Sequence, residues 1–166
     1  MIVIADTTPI NYLVLTGHEG LLPRLFGPVV IPEEVLRELR AEATPQAVRQ
    51  WIRNPPEWLE IRATTEPPDR TLSHLGPGER QAIQLAEVLS ADLLLVDEKA
   101  ARREAAKRHL RTTGTLGILD LAADKGLVDF AQAFERLKET SFYISSSVEN
   151  FFLERDSRRK RKTPSP

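Results

Sequence analysis

Along most of the chain, short apolar runs alternate with segments whose apolar residues recur at helical spacing, and several runs end on an acid. Residues 2–5 predict a buried strand closed by Asp6. Thr7 or Thr8 then caps a helix with Pro9 in its first turn and Ile10, Leu13 and Val14 as its apolar line, ended by Gly17 to Gly20. Residues 29–31 predict a second strand. The helix after it opens at Pro32, with Glu33 and Glu34 in the first turn, where the helix dipole favours acids. A short helix over 45–53, an extended segment over 58–61 and a polar loop holding Pro67-Pro68 come next. Gly76-Pro77-Gly78 starts a helix over 79–89, and 93–96 is the most strand-like run of the chain. Helices over 99–109, 116–124, 130–138 and 147–153, with a strand at 110–113, complete the pattern. This alternation predicts a three-layer α/β/α domain over residues 1–153, with a central, mainly parallel sheet flanked by helices. Sites in such sheets form at the carboxyl ends of the strands, where both Asp6 and Asp97 fall.

Four stretches place a carboxylate where a buried or half-buried segment ends. They are Val3-Ile4-Ala5-Asp6, Val35-Leu36-Arg37-Glu38, Gly76-Pro77-Gly78-Glu79 and Leu94-Leu95-Val96-Asp97. An unpaired buried carboxylate resists ionisation, converging ones repel, and a hard divalent cation is the usual remedy. Glu79 stands at the head of the apolar line Ala82, Ile83, Ala86 and Leu89, away from Arg80, Gln84 and Glu87. A first-turn acid that only meets the helix dipole would fit that position less well. Glu38 lies beside Val35 and Leu39 at the edge of its helix's inner face, whereas Glu33 points outward. Asp6 and Asp97 could each cap the next helix, the commoner role of a lone aspartate. Two strands ending alike, with Glu79 beside them, favour a shared site.

Composition narrows the chemistry. The chain has 166 residues, 41% of them hydrophobic, enough for one domain with a real core. It has no cysteine, which excludes disulfides, thiolate metal sites and cysteine nucleophiles. No secretory leader is expected, because Asp6 interrupts the apolar opening, and no apolar run reaches the roughly 20 residues of a membrane helix. A soluble protein of the reducing cytoplasm is the expectation. Net charge is −1, yet residues 155–166 hold six of the 23 basic residues and a single acid. Residues 154–166 therefore predict a basic, disordered tail, which either adds sequence-independent affinity for nucleic acid or serves only to solubilise.

Other constellations carry less. His18, His74 and His109 lack metal-ligand spacing. Gly76-Pro77-Gly78 lacks the lysine and length of a phosphate-binding P-loop. Gly114-Thr115-Leu116-Gly117 could offer backbone amides to a phosphate, or Thr115 could be a plain cap. Arg102 shares a helix face with Ala105 and Ala106 and so points inward, toward a phosphate or an acid. A dehalogenase-type phosphatase needs a second acid where Thr8 stands, and a receiver domain needs adjacent acids after the first strand, where Asp6 stands alone.

The order of four motifs resembles the PIN-domain nucleases over essentially residues 1–153. Asp6-Thr7-Thr8-Pro9-Ile10 follows the first strand, and Ile31-Pro32-Glu33-Glu34-Val35-Leu36-Arg37-Glu38-Leu39 the second. Leu75-Gly76-Pro77-Gly78-Glu79-Arg80-Gln81-Ala82-Ile83 and Leu94-Leu95-Val96-Asp97-Glu98-Lys99 complete the set. Gly114-Thr115-Leu116-Gly117-Ile118-Leu119 is similar to a segment of a prokaryotic branch neighbouring the VapC-type toxins. The third acid is a glutamate at a helix start where many such toxins have aspartate, and the last motif is Asp-Glu-Lys, without the commoner aromatic two residues on.

The resemblance implies that Asp6, Glu38, Glu79 and Asp97 are the acidic quartet, binding Mg²⁺ or Mn²⁺ and cleaving RNA. It further implies a possible toxin of a toxin–antitoxin pair, a homodimer held by a small antitoxin protein. Asp6 and Asp97 are the expected central metal ligands, and Thr7, Thr8, Arg102 and Thr115 the candidate phosphate contacts. The rival reading is a PIN-like module that binds RNA or protein without catalysis, a role that does not require four converging acids.

Overall fold

The computed structural model describes residues 1–162. Two compact units divide between Thr115 and Leu116. In the first, five strands form one parallel sheet: β1 (Val3–Ala5), β2 (Val29–Pro32), β3 (Leu59–Arg62), β4 (Leu93–Leu95) and β5 (Thr112–Thr113). Its helices are α1 (Thr7–Leu15), α2 (Leu21–Phe26), α3 (Glu33–Arg40), α4 (Gln46–Ile52), α5 (Pro77–Val88) and α6 (Lys99–Lys107). The fold class is the expected α/β/α one. The central strands are buried on both faces, as near-continuous apolar runs require of a parallel sheet. Ile4, Ile83, Ala86, Leu94 and Ala105 belong to the core that α5 and α6 share with the sheet.

The strand order is β3-β2-β1-β4-β5, so the chain leaves β1 for β2 on one side and later returns as β4 on the other. That reversal opens a crevice between β1 and β4, the place where parallel sheets bind ligands. The register is Val3 opposite Leu93, Ile4 opposite Leu94 and Ala5 opposite Leu95. The Asp6 amide donates to the Leu95 carbonyl at 2.9 Å, which carries the pairing one residue past β1. Asp6 and Asp97 thus leave neighbouring strands at the same end.

Two expectations change. Sequence reading has no element over 21–26, yet α2 forms there, burying Leu21, Leu22 and Phe26. Pro23 sits early enough in this short helix to cost no internal hydrogen bond. The second change concerns the basic tail. The second unit contains the rest of α7 (Thr115–Asp124), α8 (Phe130–Lys138) and α9 (Ser146–Lys162), and α9 runs without a break past residue 153. Residues 154–162 are therefore helical rather than disordered; residues 163–166 lie outside the described part. The cause is charge pairing that the linear count of bases hides. Arg159 donates to Asp124 at 2.7 Å, to Asp156 at 2.6 Å and also to Asp120, and Arg155 meets Asp120 at 2.9 Å. Phe130 stacks on Phe134 and Phe152, with centroids 5.7 and 6.1 Å apart, which fastens α8 to α9.

Candidate active site

Asp6 occupies the N-cap position of α1, but its side chain makes no capping hydrogen bond. It is 3% exposed, and its Oδ1 is buried with no hydrogen-bond partner among the described residues. Burial pushes its carboxyl up to about 7, against the pull of the adjacent Thr7 amide; the charges of Glu79, Glu38 and Asp97 raise it further. The other three predicted acids thus act electrostatically on the first. A capping aspartate would instead spend its oxygens on helix amides and be easier to ionise.

Each of the other acids is engaged by protein donors. Glu38, half-buried on α3 beside the buried Val35 and Leu39, accepts from the Thr7 hydroxyl and from the Gly78 amide, the latter at 2.9 Å. Glu79, in the first turn of α5, reaches back to the Gly76 amide at 3.3 Å, one half of a capping box. Burial raises its carboxyl; the Gly76 amide opposes this, Glu98 and Glu38 add to it, and His74 opposes it. Asp97 accepts from the Thr115 amide and hydroxyl, both at 2.8 Å. Burial still raises Asp97 above the usual carboxylate range, opposed by Thr115 and Arg102 and reinforced by Glu98. Among the described residues, no three acids or histidines stand in the close grouping that holds a metal ion. Carboxylates that repel one another turn to the nearest N–H and O–H groups, and these four are arranged that way, with one buried oxygen of Asp6 left over.

A family model described as a PIN domain matches residues 2–158. The chain belongs to the PIN-domain family. Members are generally nucleases, commonly bind nucleic acid and typically use Mg²⁺ or Mn²⁺. Among solved structures, a PilT N-terminus domain protein from the hyperthermophilic archaeon Sulfolobus solfataricus P2 is similar at 13% identity. That match covers 87% of this chain and all of the other, with a TM-score of 0.48. No curated protein matches the sequence. No helix among the described residues is long and apolar enough to cross a membrane.

Within this PIN domain, the candidate phosphate contacts take distinct places. Thr7 and Thr8 are half-buried in the first turn of α1, and the Thr7 hydroxyl is given to Glu38. Thr115 is fully buried with both donors on Asp97, so it orients an acid. Arg102 points inward as expected, its Nε donating to the Val96 carbonyl at 3.0 Å, whereas Ala106 on the same helix is exposed. Two glycines, one read from sequence as part of a helix-start turn and the other as part of an amide-bearing segment, lie against the candidate acids. A β-carbon on Gly78 would fall 2.8 Å from Glu38 Oε1 and closer still to Oε2. One on Gly114 would fall 2.5 Å from Asp97 Oδ1 and overlap the Arg102 guanidinium. Their signal in the sequence is a glycine within a residue or two of a helix start, next to an acid or a threonine that the site uses.

The donor chemistry of these residues, though not their present spacing, suits a hard divalent cation. Oxygen donors from carboxylates are the chemistry Mg²⁺ and Mn²⁺ prefer, and the unsatisfied Asp6 oxygen is an acceptor that such an ion completes.

Proposed function

We propose that this PIN-domain protein is a divalent-metal-dependent endoribonuclease, hydrolysing RNA phosphodiester bonds at the carboxylates of Asp6, Glu38, Glu79 and Asp97. The observation that carries this reading is the buried, unpartnered Oδ1 of Asp6, raised in pKa by burial and by the three other acids. Such a group costs stability unless a cation or a proton neutralises it, and a module that only binds gains nothing from keeping it.

Mg²⁺ or Mn²⁺, when bound, supplies a water of lowered pKa and charge stabilisation at the leaving oxygen. Asp6 and Asp97 are the residues that would hold the ion, with Glu38 and Glu79 completing the site directly or through water. Thr115 fixes the rotation of Asp97 with two donors, and Thr7 and the Gly78 amide do the same for Glu38. Arg102 brings a permanent positive charge beside Asp97, suited to a phosphate oxygen. Thr8 supplies a hydroxyl at the start of α1. A toxin role in the cytoplasm, with a small antitoxin protein and a homodimer, belongs to the same proposal and rests on the resemblance alone.

The test is cleavage of a pool of structured RNAs with Mg²⁺ or Mn²⁺, by the wild-type chain and by Asp6→Asn. The amide keeps the size and one acceptor oxygen of the carboxylate but loses the charge that faces the cation. Cleavage by the wild type and none by Asp6→Asn, with RNA binding and fold preserved in both, is the expected result. Full cleavage by Asp6→Asn removes the assignment. Binding by the wild type with no cleavage in either metal favours the non-catalytic module instead.

A further inference from the structure

We propose that the outward face of α9 is a binding surface for single-stranded nucleic acid, built from one aromatic platform and a line of cations. Residues Val148, Phe151, Arg155, Arg158 and Lys162 recur at intervals of three and four and so lie along one stripe of this helix. Phe151 is 57% exposed, yet its ring is not loose. It meets Phe152 edge to face at 5.2 Å, and Phe152 is in turn stacked against Phe130. The Arg155 guanidinium lies 5.9 Å from the Phe151 centroid. An exposed ring held by the half-buried Phe152, and through it by the buried Phe130, with a guanidinium over it, is fixed in place at little entropic cost, as base stacking requires.

The cations of this helix divide by face. Arg159 is turned inward onto Asp120, Asp124 and Asp156, which consumes its charge, and Arg155, although exposed, shares Asp120 at 2.9 Å, so its part in the stripe is to hold the Phe151 ring rather than to meet a phosphate. Arg158 points outward, and its acidic partner among the described residues is the exposed Glu154. Arg161 and Lys162 are exposed beyond it. The stripe therefore grows more positive from Phe151 to Lys162. At 1.5 Å per residue it is about 16 Å long, room for about five stacked nucleotides at 3.4 Å each. A duplex offers phosphates but no free base face, so the platform selects single strands. A π-face and a line of cations do not distinguish ribose from deoxyribose, and RNA and DNA single strands are expected to bind alike. This surface does not depend on the carboxylate site, and it goes beyond the nuclease reading.

The experiment uses the full chain with a chelator present, so strand capture is read without cleavage and the two proposals fail separately. Fluorescence anisotropy follows a labelled ten-nucleotide uridine RNA, the matching DNA, an RNA duplex and inorganic polyphosphate. Phe151→Ala is expected to weaken both single strands at least about fivefold, the low end of one base–aromatic stack, with polyphosphate unaffected and the melting temperature unchanged. Arg158→Gln with Lys162→Gln is expected to lower the salt slope for every polyanion, by about 1.4 for the single strands at roughly 0.7 per lost phosphate contact. Arg24→Gln with Arg53→Gln, exposed bases of the other unit, is the charge-matched control and should leave the slope alone. Equal binding by Phe151→Ala and wild type overturns the platform. An equal slope change in the control overturns the stripe. Conversion of a dimer to a monomer by Phe151→Ala, read by sedimentation, also overturns the proposal, because the ring is then buried between copies.

Discussion

Thr115 gives both of its donors to Asp97, its amide to Oδ1 and its hydroxyl to Oδ2, each at 2.8 Å. The pair ties the segment after β4 to the residue at the start of α7, and it leaves Asp97 little freedom to rotate. A threonine with no exposed surface is an unusual place to spend a hydroxyl unless an acid needs it.

Thr115→Val keeps the volume and the amide but removes the hydroxyl. A hydrogen bond to a charged group is worth about 1.5–3 kcal/mol, and that loss is the expected drop in urea-unfolding stability at neutral pH. Thr115→Ser should recover most of it. A loss under about 0.5 kcal/mol would show that Asp97 finds another donor.

The metal-free protein should lose stability as pH rises from about 4 to about 7. The unfolded chain releases the Asp6 proton near 3.8, whereas the folded chain keeps it up to about 7. Between those values the native state binds more protons, so alkaline titration favours unfolding. Asp97 and Glu79 are raised in the same direction. At 1.36 kcal/mol per pKa unit, Asp6 alone makes a difference on the order of a few kcal/mol. Asp6→Asn should remove that share, so its melting temperature in chelator overtakes the wild type at pH 8 and converges with it near pH 4. Saturating Mn²⁺ should raise the wild type at pH 8 and do little for the variant. Parallel pH profiles for the two proteins would contradict the shift.

Gly78→Ala should disturb Glu38 and through it the site. The new β-carbon would overlap the Glu38 carboxylate, so Glu38 must leave the Gly78 amide and the Thr7 hydroxyl. Overpacking of this kind costs about 1–3 kcal/mol. Gly20→Ala is the matched control, with ordinary negative φ and nothing within 4 Å of the added carbon. It should be neutral or slightly stabilising. Equal denaturation midpoints for the two variants would mean that Glu38 moves aside without cost.

Arg159→Ala should destabilise the protein by about 2–3 kcal/mol in thermal or chemical melts, somewhat below the range for a fully broken buried pair. Asp120 and Asp156 are both buried and lose a shared cation, although Arg155 and Lys160 still reach them. Arg158→Ala, one residue earlier on the exposed face, should change stability by no more than about 0.5 kcal/mol. A chain truncated after residue 154 should melt at least as low as Arg159→Ala. Normal melting of the truncated chain would mean that α9 beyond that point is dispensable.

The parallel sheet was legible because Val3-Ile4-Ala5 and Leu93-Leu94-Leu95 are short apolar runs set between helical patterns, the signature of strands buried in a parallel sheet. The inward placement of Glu79 and Arg102 followed from helical spacing alone. What spacing could not reveal was partnership. The order of α9 depends on Asp120 and Asp124, acids on a different helix, so a count along residues 155–166 reads as unopposed charge. For Thr115 the sequence left a phosphate contact and a plain cap both open, because neither reading includes the acid, 18 residues earlier, to which both its donors go. The need for glycine at 78 and 114 is likewise a fact about approaching side chains, which no local pattern records.

Asp6 and Asp97 come together only through the pairing of β1 with β4, a contact between segments that are far apart along the chain. During synthesis, the first of these acids leaves the ribosome long before its companion exists, and β1 has only β2 to pair with meanwhile. The carboxylate cluster is therefore assembled by one of the later long-range closures of the fold, a slow class of folding event. A nascent chain that ends before β4 carries no such cluster, so whatever chemistry the site performs is withheld until that strand has been made and paired.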